Sequence, residues 1–182
     1  MSELSDLLSS QQSEDFNIET NLNEFPCAII SMINDNTSSV ATRKLVNSIN
    51  QTNSELQVLI QPATVPDTLE KDLKKFNLSL TDWKYPSEPG KQRNDLKSGL
   101  TLTGYNANNI LKVISCMVSH MRLWRTCRDQ NVPFVVLEHD AVFTKQFKSS
   151  DFPASGGGII GLNDPRGATR KSAVYYERIS TS

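Results

Sequence analysis

The sequence has little cysteine, no long apolar run and no basic cluster, and each absence removes a class of protein. Its three cysteines, Cys27, Cys116 and Cys127, form neither a disulfide framework nor a CxxC motif. A reducing, cytoplasmic setting is the expectation that follows. No apolar stretch approaches the roughly 18 residues of a membrane span, so no transmembrane segment is expected. The opening MSELSDLLSSQQSEDF has neither the basic start nor the apolar middle of a secretory signal. The sequons at Asn36, Asn50 and Asn77 therefore carry little weight. There is no Walker A sequence and no GxSxG elbow. No Lys/Arg run is interleaved with aromatics, which argues against nucleic acid as a partner. Internal repeats are absent as well.

Charge is nearly balanced overall, at −1, but unevenly spread. Residues 1–25 hold six acids and no Lys or Arg, and are rich in Ser, Gln and Asn. Such a segment buries too little apolar surface to offset its ordering entropy, so a disordered acidic tail is expected. The remaining residues carry 19 basic and 14 acidic side chains, a net of +5 that suits an anionic ligand. With 182 residues, 37% of them hydrophobic, and a mean hydropathy of −0.39, one soluble domain over 26–182 is the natural expectation.

Pro26 to Ile33 is a continuous apolar run of strand length, closed by Asn34-Asp35-Asn36. Thr37 or Ser38 is a candidate cap for a following helix, with Val40, Leu45, Val46 and Ile49 near its inner face. Leu56 to Ile60 reads as a second strand, and this β-α-β opening argues for a doubly wound sheet. A short helix is expected around 67–76, then a long loop from Trp83 to Gly104. From Asn106 helical spacing returns, with Ile110, Val113, Ile114, Met117, Met121 and Trp124 on one stripe. A strand over 133–137 follows, then a short helix or edge segment over Ala141–Phe147. Residues 156–162, GGGIIGL, read as a strand. They formally match GxGxxG, but a dinucleotide fingerprint follows a strand and opens a helix, and these glycines do neither.

The most informative stretch is 119–143, SHMRLWRTCRDQNVPFVVLEHDAVF. An amphipathic helix runs into Phe134-Val135-Val136-Leu137, and the strand ends on Glu138 and Asp140. Residues two apart on a strand face the same way. In open α/β sheets ligands sit beyond the carboxyl ends of the strands, where paired carboxylates suit Mg(II) or Mn(II) with phosphate oxygens completing the shell. Two solvated acids after a strand are the alternative. His120 lies with Cys116, Leu123 and Cys127 along one stripe, as a half-buried histidine would. Cys116 and His120 stand at i, i+4, but two further ligands are wanting for a metal site. Trp124 fits core packing better than sugar stacking.

Ser119, His120, Trp124, Leu137, Glu138, Asp140 and Ala141 together resemble the signature of glycosyltransferase family 25, the lipopolysaccharide-biosynthesis and collagen-galactosyltransferase group. His139 departs from it where the family usually has Asp. The dense match covers about 25 residues, and a looser one runs from residue 26 to the C-terminus. The resemblance implies an α/β, Rossmann-like nucleotide-diphospho-sugar transferase fold of the GT-A kind, incomplete at its C-terminus. It implies transfer of a hexose from a UDP-sugar to a glycan or lipid-linked acceptor hydroxyl, with Mn(II) or Mg(II) held by Asp140 and Glu138. Ser31, Arg43, Ser119, His120 and Glu138 become donor-binding candidates, Arg43 reading equally well as an exposed helix arginine. Arg166, Arg170 and Lys171 stand near one another in a loop, as phosphate-steering or merely solvated residues. Asp164 is the only candidate offered for a catalytic base. Family members usually continue beyond the equivalent of residue 182, so self-association is expected, and a catalytically incomplete donor-binding or accessory module is the competing reading.

Overall fold

The computed structural model describes residues 25–148 and 150. In chain order they form β1 (Phe25–Ser31), α1 (Asn36–Gln51), β2 (Leu56–Pro62), α2 (Leu69–Lys74), a 3-10 turn (Leu80–Asp82), β3 (Gln92–Asn94), β4 (Thr101–Thr103), α3 (Ile110–Gln130) and β5 (Val135–Glu138). The expected acidic tail, the strand over 156–162, and the loop with Asp164, Arg166, Arg170 and Lys171 lie outside the described residues.

The fold is α/β, built on a parallel sheet of order β2-β1-β5. β1 is central and buried from Pro26 to Ser31, which explains its unbroken apolar run. Its odd and even residues serve opposite faces. On one face Ser31 hydrogen-bonds to Ser38 and Thr42 of α1. On the other, Ala28 and Ile30 pack with Leu123 of α3, along with Ala63, Phe134 and Val136. The chain leaves β1 for β2 on one side and returns through α3 to β5 on the other. The topological switch point therefore falls between β1 and β5.

Several expectations change in detail. Asp35, not Thr37 or Ser38, caps α1, accepting from the Ser38 amide at 2.7 Å. The inner stripe of α1 is Ser38, Thr42, Leu45, Ser48 and Ile49, while Val40 is exposed. Val40 lies about 200° around the helix from Ser38, given 3.6 residues per turn. Small hydroxylated residues replace it on the inside because α1 meets β1 through hydrogen bonds as well as apolar contact. Trp124, expected in the core, is 48% exposed. The buried positions of α3 are Ile114, Ser115, Val118, Ser119 and Leu123. Its helical stripe is thus shifted toward residues that look polar in the sequence.

α2 is shorter than the expected 67–76, and Leu69 and Leu73 pack with Ile114 and Val118 of α3 in a second cluster. The expected loop 83–104 contains the antiparallel hairpin β3–β4. Its strands are three residues long and mostly exposed, so no apolar alternation announces them. Gly99, at φ +71°, and the Ser98-to-Asp95 hydrogen bonds shape its tip. At its base, a Cβ on Gly104 would come within 2.0 Å of the Glu88 carbonyl oxygen. Residues 141–147 form neither helix nor strand. They are tied down by Phe143 N–Ser48 Oγ (3.0 Å), Phe147 N–Ser54 Oγ (2.9 Å) and a Phe147–Phe25 ring contact.

Candidate functional site

The three parallel strands end at Ser31, Pro62 and Glu138, and the polar groups of interest gather around these ends. Ser31 is buried. Its hydroxyl lies 2.8 Å from Thr42 Oγ1 and 3.2 Å from Ser38 Oγ, and Ser38 Oγ accepts from the Met32 amide at 2.9 Å. These bonds fix the turn by which the chain leaves β1 for α1. Arg43 follows Thr42 on the exposed side of α1.

At the end of β2, α3 supplies the anchors. Ser119 is buried, donates to the Ser115 carbonyl and accepts from the Thr64 amide at 2.9 Å. Arg122 donates to the Pro62 carbonyl at 3.1 Å and stands 3.7 Å from Asp72. Asp72 is itself buried, accepting from Thr64 Oγ1 at 2.7 Å and facing Lys75 at 3.4 Å. A buried carboxylate needs such partners, because desolvation otherwise disfavours its charge. This Thr64–Asp72–Arg122 network was not anticipated. Its signal in the sequence is faint: Asp72, one of two acids on a short helix, and an arginine 50 residues on.

Glu138 closes β5 opposite Ile30 in the parallel register, which aims it at the α3 face of the sheet. There it meets two residues one helical turn apart. Glu138 Oε1 lies 3.2 Å from His120 Nε2 and 3.6 Å from Cys116 Sγ. Cys116, His120 and Glu138 thus form a trio of ligand-type atoms within 4.8 Å of one another. The third partner that Cys116 and His120 wanted in the sequence is this carboxylate. The Cys116 thiol is held above its ordinary pKa, first by partial desolvation, then by the charge of Glu138 and the hydrogen bond to it. Cys27, inside β1, is pushed up to about 12 by burial alone.

Asp140 does not continue the strand. β5 stops at Glu138, residues 139 and 140 form a turn closed by the Ala141 amide to the Glu138 carbonyl at 3.1 Å, and Asp140 is exposed there. Strand alternation therefore no longer governs where it points. The structure joins Glu138 to His120 and Cys116, places Ser119 one residue away in a structural clamp, and leaves Asp140 solvated beside them. Trp124, one turn beyond His120, has its ring 6.1 Å from the imidazole.

The sheet thus gathers acids and an imidazole at the carboxyl ends of its strands, the place where open parallel α/β sheets commonly take ligands. Residues 88–151 match the model of glycosyltransferase family 25 (LPS biosynthesis protein). The match runs from the base of the hairpin through α3 and β5, past the turn bearing Asp140, to residue 151. It bears out the resemblance carried by Ser119, His120, Trp124, Glu138 and Asp140. No curated protein and no solved structure matches the chain. Among the described residues no helix is long and apolar enough to cross a membrane.

Proposed function

We propose that this chain is a glycosyltransferase of the GT-A kind that moves a hexose from a UDP-sugar to an acceptor hydroxyl of a glycan or lipid-linked acceptor. One observation carries the reading. The segment matching the family model is the segment that delivers Glu138, His120 and the Asp140 turn to the carboxyl end of a parallel sheet, beside its switch point. That is where α/β sheets take nucleotide ligands.

A hard divalent cation is the cofactor this reading calls for. Asp140 is exposed, and Glu138, also exposed, offers a second carboxylate at the same strand end. Two carboxylate groups completed by water and phosphate oxygens suit Mn(II) or Mg(II). Bound there, such a cation would neutralise charge on the departing diphosphate. The chain's own residues would orient the donor. Arg43, exposed on α1, would supply positive charge, and the 48% exposed Trp124 would offer a flat apolar face to a sugar ring. Ser31 and Ser119 would act by holding the strand ends in place, since their hydroxyls are already committed.

The test is a thermal-shift and calorimetry panel of UDP-sugars with and without Mn(II), followed by acceptor-dependent turnover. Specific donor binding with transfer supports the transferase. Binding without transfer selects the accessory donor-binding module, and no binding of any UDP-sugar overturns both.

A further inference from the structure

We propose that Cys116, His120 and Glu138 form a zinc site with one open coordination position, distinct in chemistry from the oxygen-ligand site at Asp140. The site stands independently of the transferase reading; only its consequence for donor binding rests on that reading.

Cys116 and His120 are spaced i, i+4 on α3, so their side chains rise from one face of the helix, one above the other. Glu138 is the last residue of β5 and faces that helix. The packing of Leu123 against Ala28, Ile30 and Val136 fixes α3 relative to the sheet. The three ligands therefore come from two elements whose relative position is set by the core rather than by a loop. Tetrahedral zinc, with bonds of about 2.0–2.3 Å, places its ligand atoms about 3.3–3.6 Å apart. Here Oε1 stands 3.2 Å from Nε2 and 3.6 Å from Sγ, and all three atoms lie within 4.8 Å of one another, so that closing the set on one ion asks only for a small side-chain movement.

The chemistry of the set selects the ion. Sulfur and imidazole nitrogen are poor ligands for Mg(II) and Ca(II), which take oxygen, whereas thiolate, imidazole and carboxylate together suit Zn(II). The charges also balance, because a thiolate, a carboxylate and a neutral imidazole offset a dication. Cys116 and Glu138 are exposed and His120 is half-buried, so the fourth position opens to solvent and admits water or a ligand oxygen. All three cysteines of the chain are free, so Cys116 is available as a ligand.

Glu138 is shared between the two sites, and zinc would hold its carboxylate against α3. Zinc is then an antagonist of Mn(II)-dependent donor binding.

Co(II), a spectroscopic stand-in for zinc, is titrated into the full 182-residue chain. The expected result is one equivalent bound with a thiolate-to-cobalt charge-transfer band and tetrahedral d–d bands, both abolished by Zn(II). Cys116→Ser should remove the charge-transfer band. His120→Ala and Glu138→Gln should weaken binding by more than the roughly 10–100-fold that changes around a metal's outer shell cost. Cys127→Ser and Asp140→Asn should leave the spectrum unchanged, and circular dichroism of each variant confirms that it is folded. A wild-type chain without the band, or a folded Cys116→Ser that keeps it, overturns the site. Calorimetry of UDP with Mn(II), repeated with one equivalent of Zn(II), reads the consequence: weakened UDP binding supports the antagonism, and unchanged binding overturns it. If UDP does not bind even without zinc, the transferase reading fails and the antagonism with it, while the cobalt spectrum decides the site.

Discussion

Single side chains around the strand ends have measurable chemical signatures. Cys116 is exposed, yet partial desolvation and Glu138 keep its thiol protonated above the usual pH range. Only the thiolate is nucleophilic, so in metal-free buffer its alkylation near pH 8 should be slower than that of a free thiol. Glu138→Gln removes the negative neighbour, lowers the thiol pKa and should speed the reaction. Mass-spectrometric alkylation rates against pH would show this, and an unchanged rate in the variant would mean that the carboxylate does not govern the thiol. Cys27, raised to about 12 inside β1, should stay unmodified until the protein unfolds. Ser119 offers a second reading at this scale. Ser119→Ala leaves the buried Thr64 amide without its partner, at a cost of about 1–3 kcal/mol. Urea denaturation at constant m-value measures it.

At the scale of elements, the hairpin β3–β4 and the start of α1 make opposite demands on the chain. The hairpin has almost no burial to hold it, so its turn residues decide whether it forms. Gly104→Ala would drive a Cβ into the Glu88 carbonyl oxygen at 2.0 Å, a contact with backbone that cannot swing aside. Gly99→Ala meets no atom but must adopt φ +71°, which costs about 1 kcal/mol. Amide exchange at Gln92–Asn94 and Thr101–Thr103 should therefore rise far more in Gly104→Ala than in Gly99→Ala. Equal protection in the two variants would place the constraint elsewhere. For α1 the decisive residue is its cap. Asp35→Ala removes the acceptor for the Ser38 amide and should cost about 1 kcal/mol. The loss would also loosen the turn that carries Ser38 onto Ser31.

In the whole molecule, the site depends on α3 being held against the sheet. Leu123, buried against Ala28 and Ile30, is the central contact. Leu123→Ala should destabilise by about 2–5 kcal/mol, and truncating its neighbour Trp124, which is 48% exposed, should cost clearly less. Comparable losses in the two would contradict the packing described for α3. Function divides differently. Asp140→Ala should abolish Mn(II)-dependent UDP binding while leaving the melting curve intact, because Asp140 is exposed in a turn. Calorimetry showing undiminished metal-dependent binding in that variant would remove Asp140 from the site.

By itself the sequence determined the class of fold and the region of the site. β1 was legible because a central parallel strand is buried on both faces and reads as an unbroken apolar run. α3 was legible because its 21 residues leave room for a helical period to repeat. The family signature from Ser119 to Ala141 pointed to the strand end where Glu138 and Asp140 stand. The tertiary structure decided which of those residues meet. Helix spacing paired Cys116 with His120, but the parallel register of β5 on β1 added Glu138 to them. The end of β5 at Glu138 moved Asp140 into a turn that strand alternation does not describe. Trp124 and Ser119 exchanged their expected roles, with the indole left outside and the hydroxyl buried. Periodicity gives only the angle of each residue around the helix axis. Which angle faces the core is set by the neighbours the helix packs against, and for α3 those are Ala28, Ile30, Leu69 and Leu73, all at least 37 residues before the helix begins.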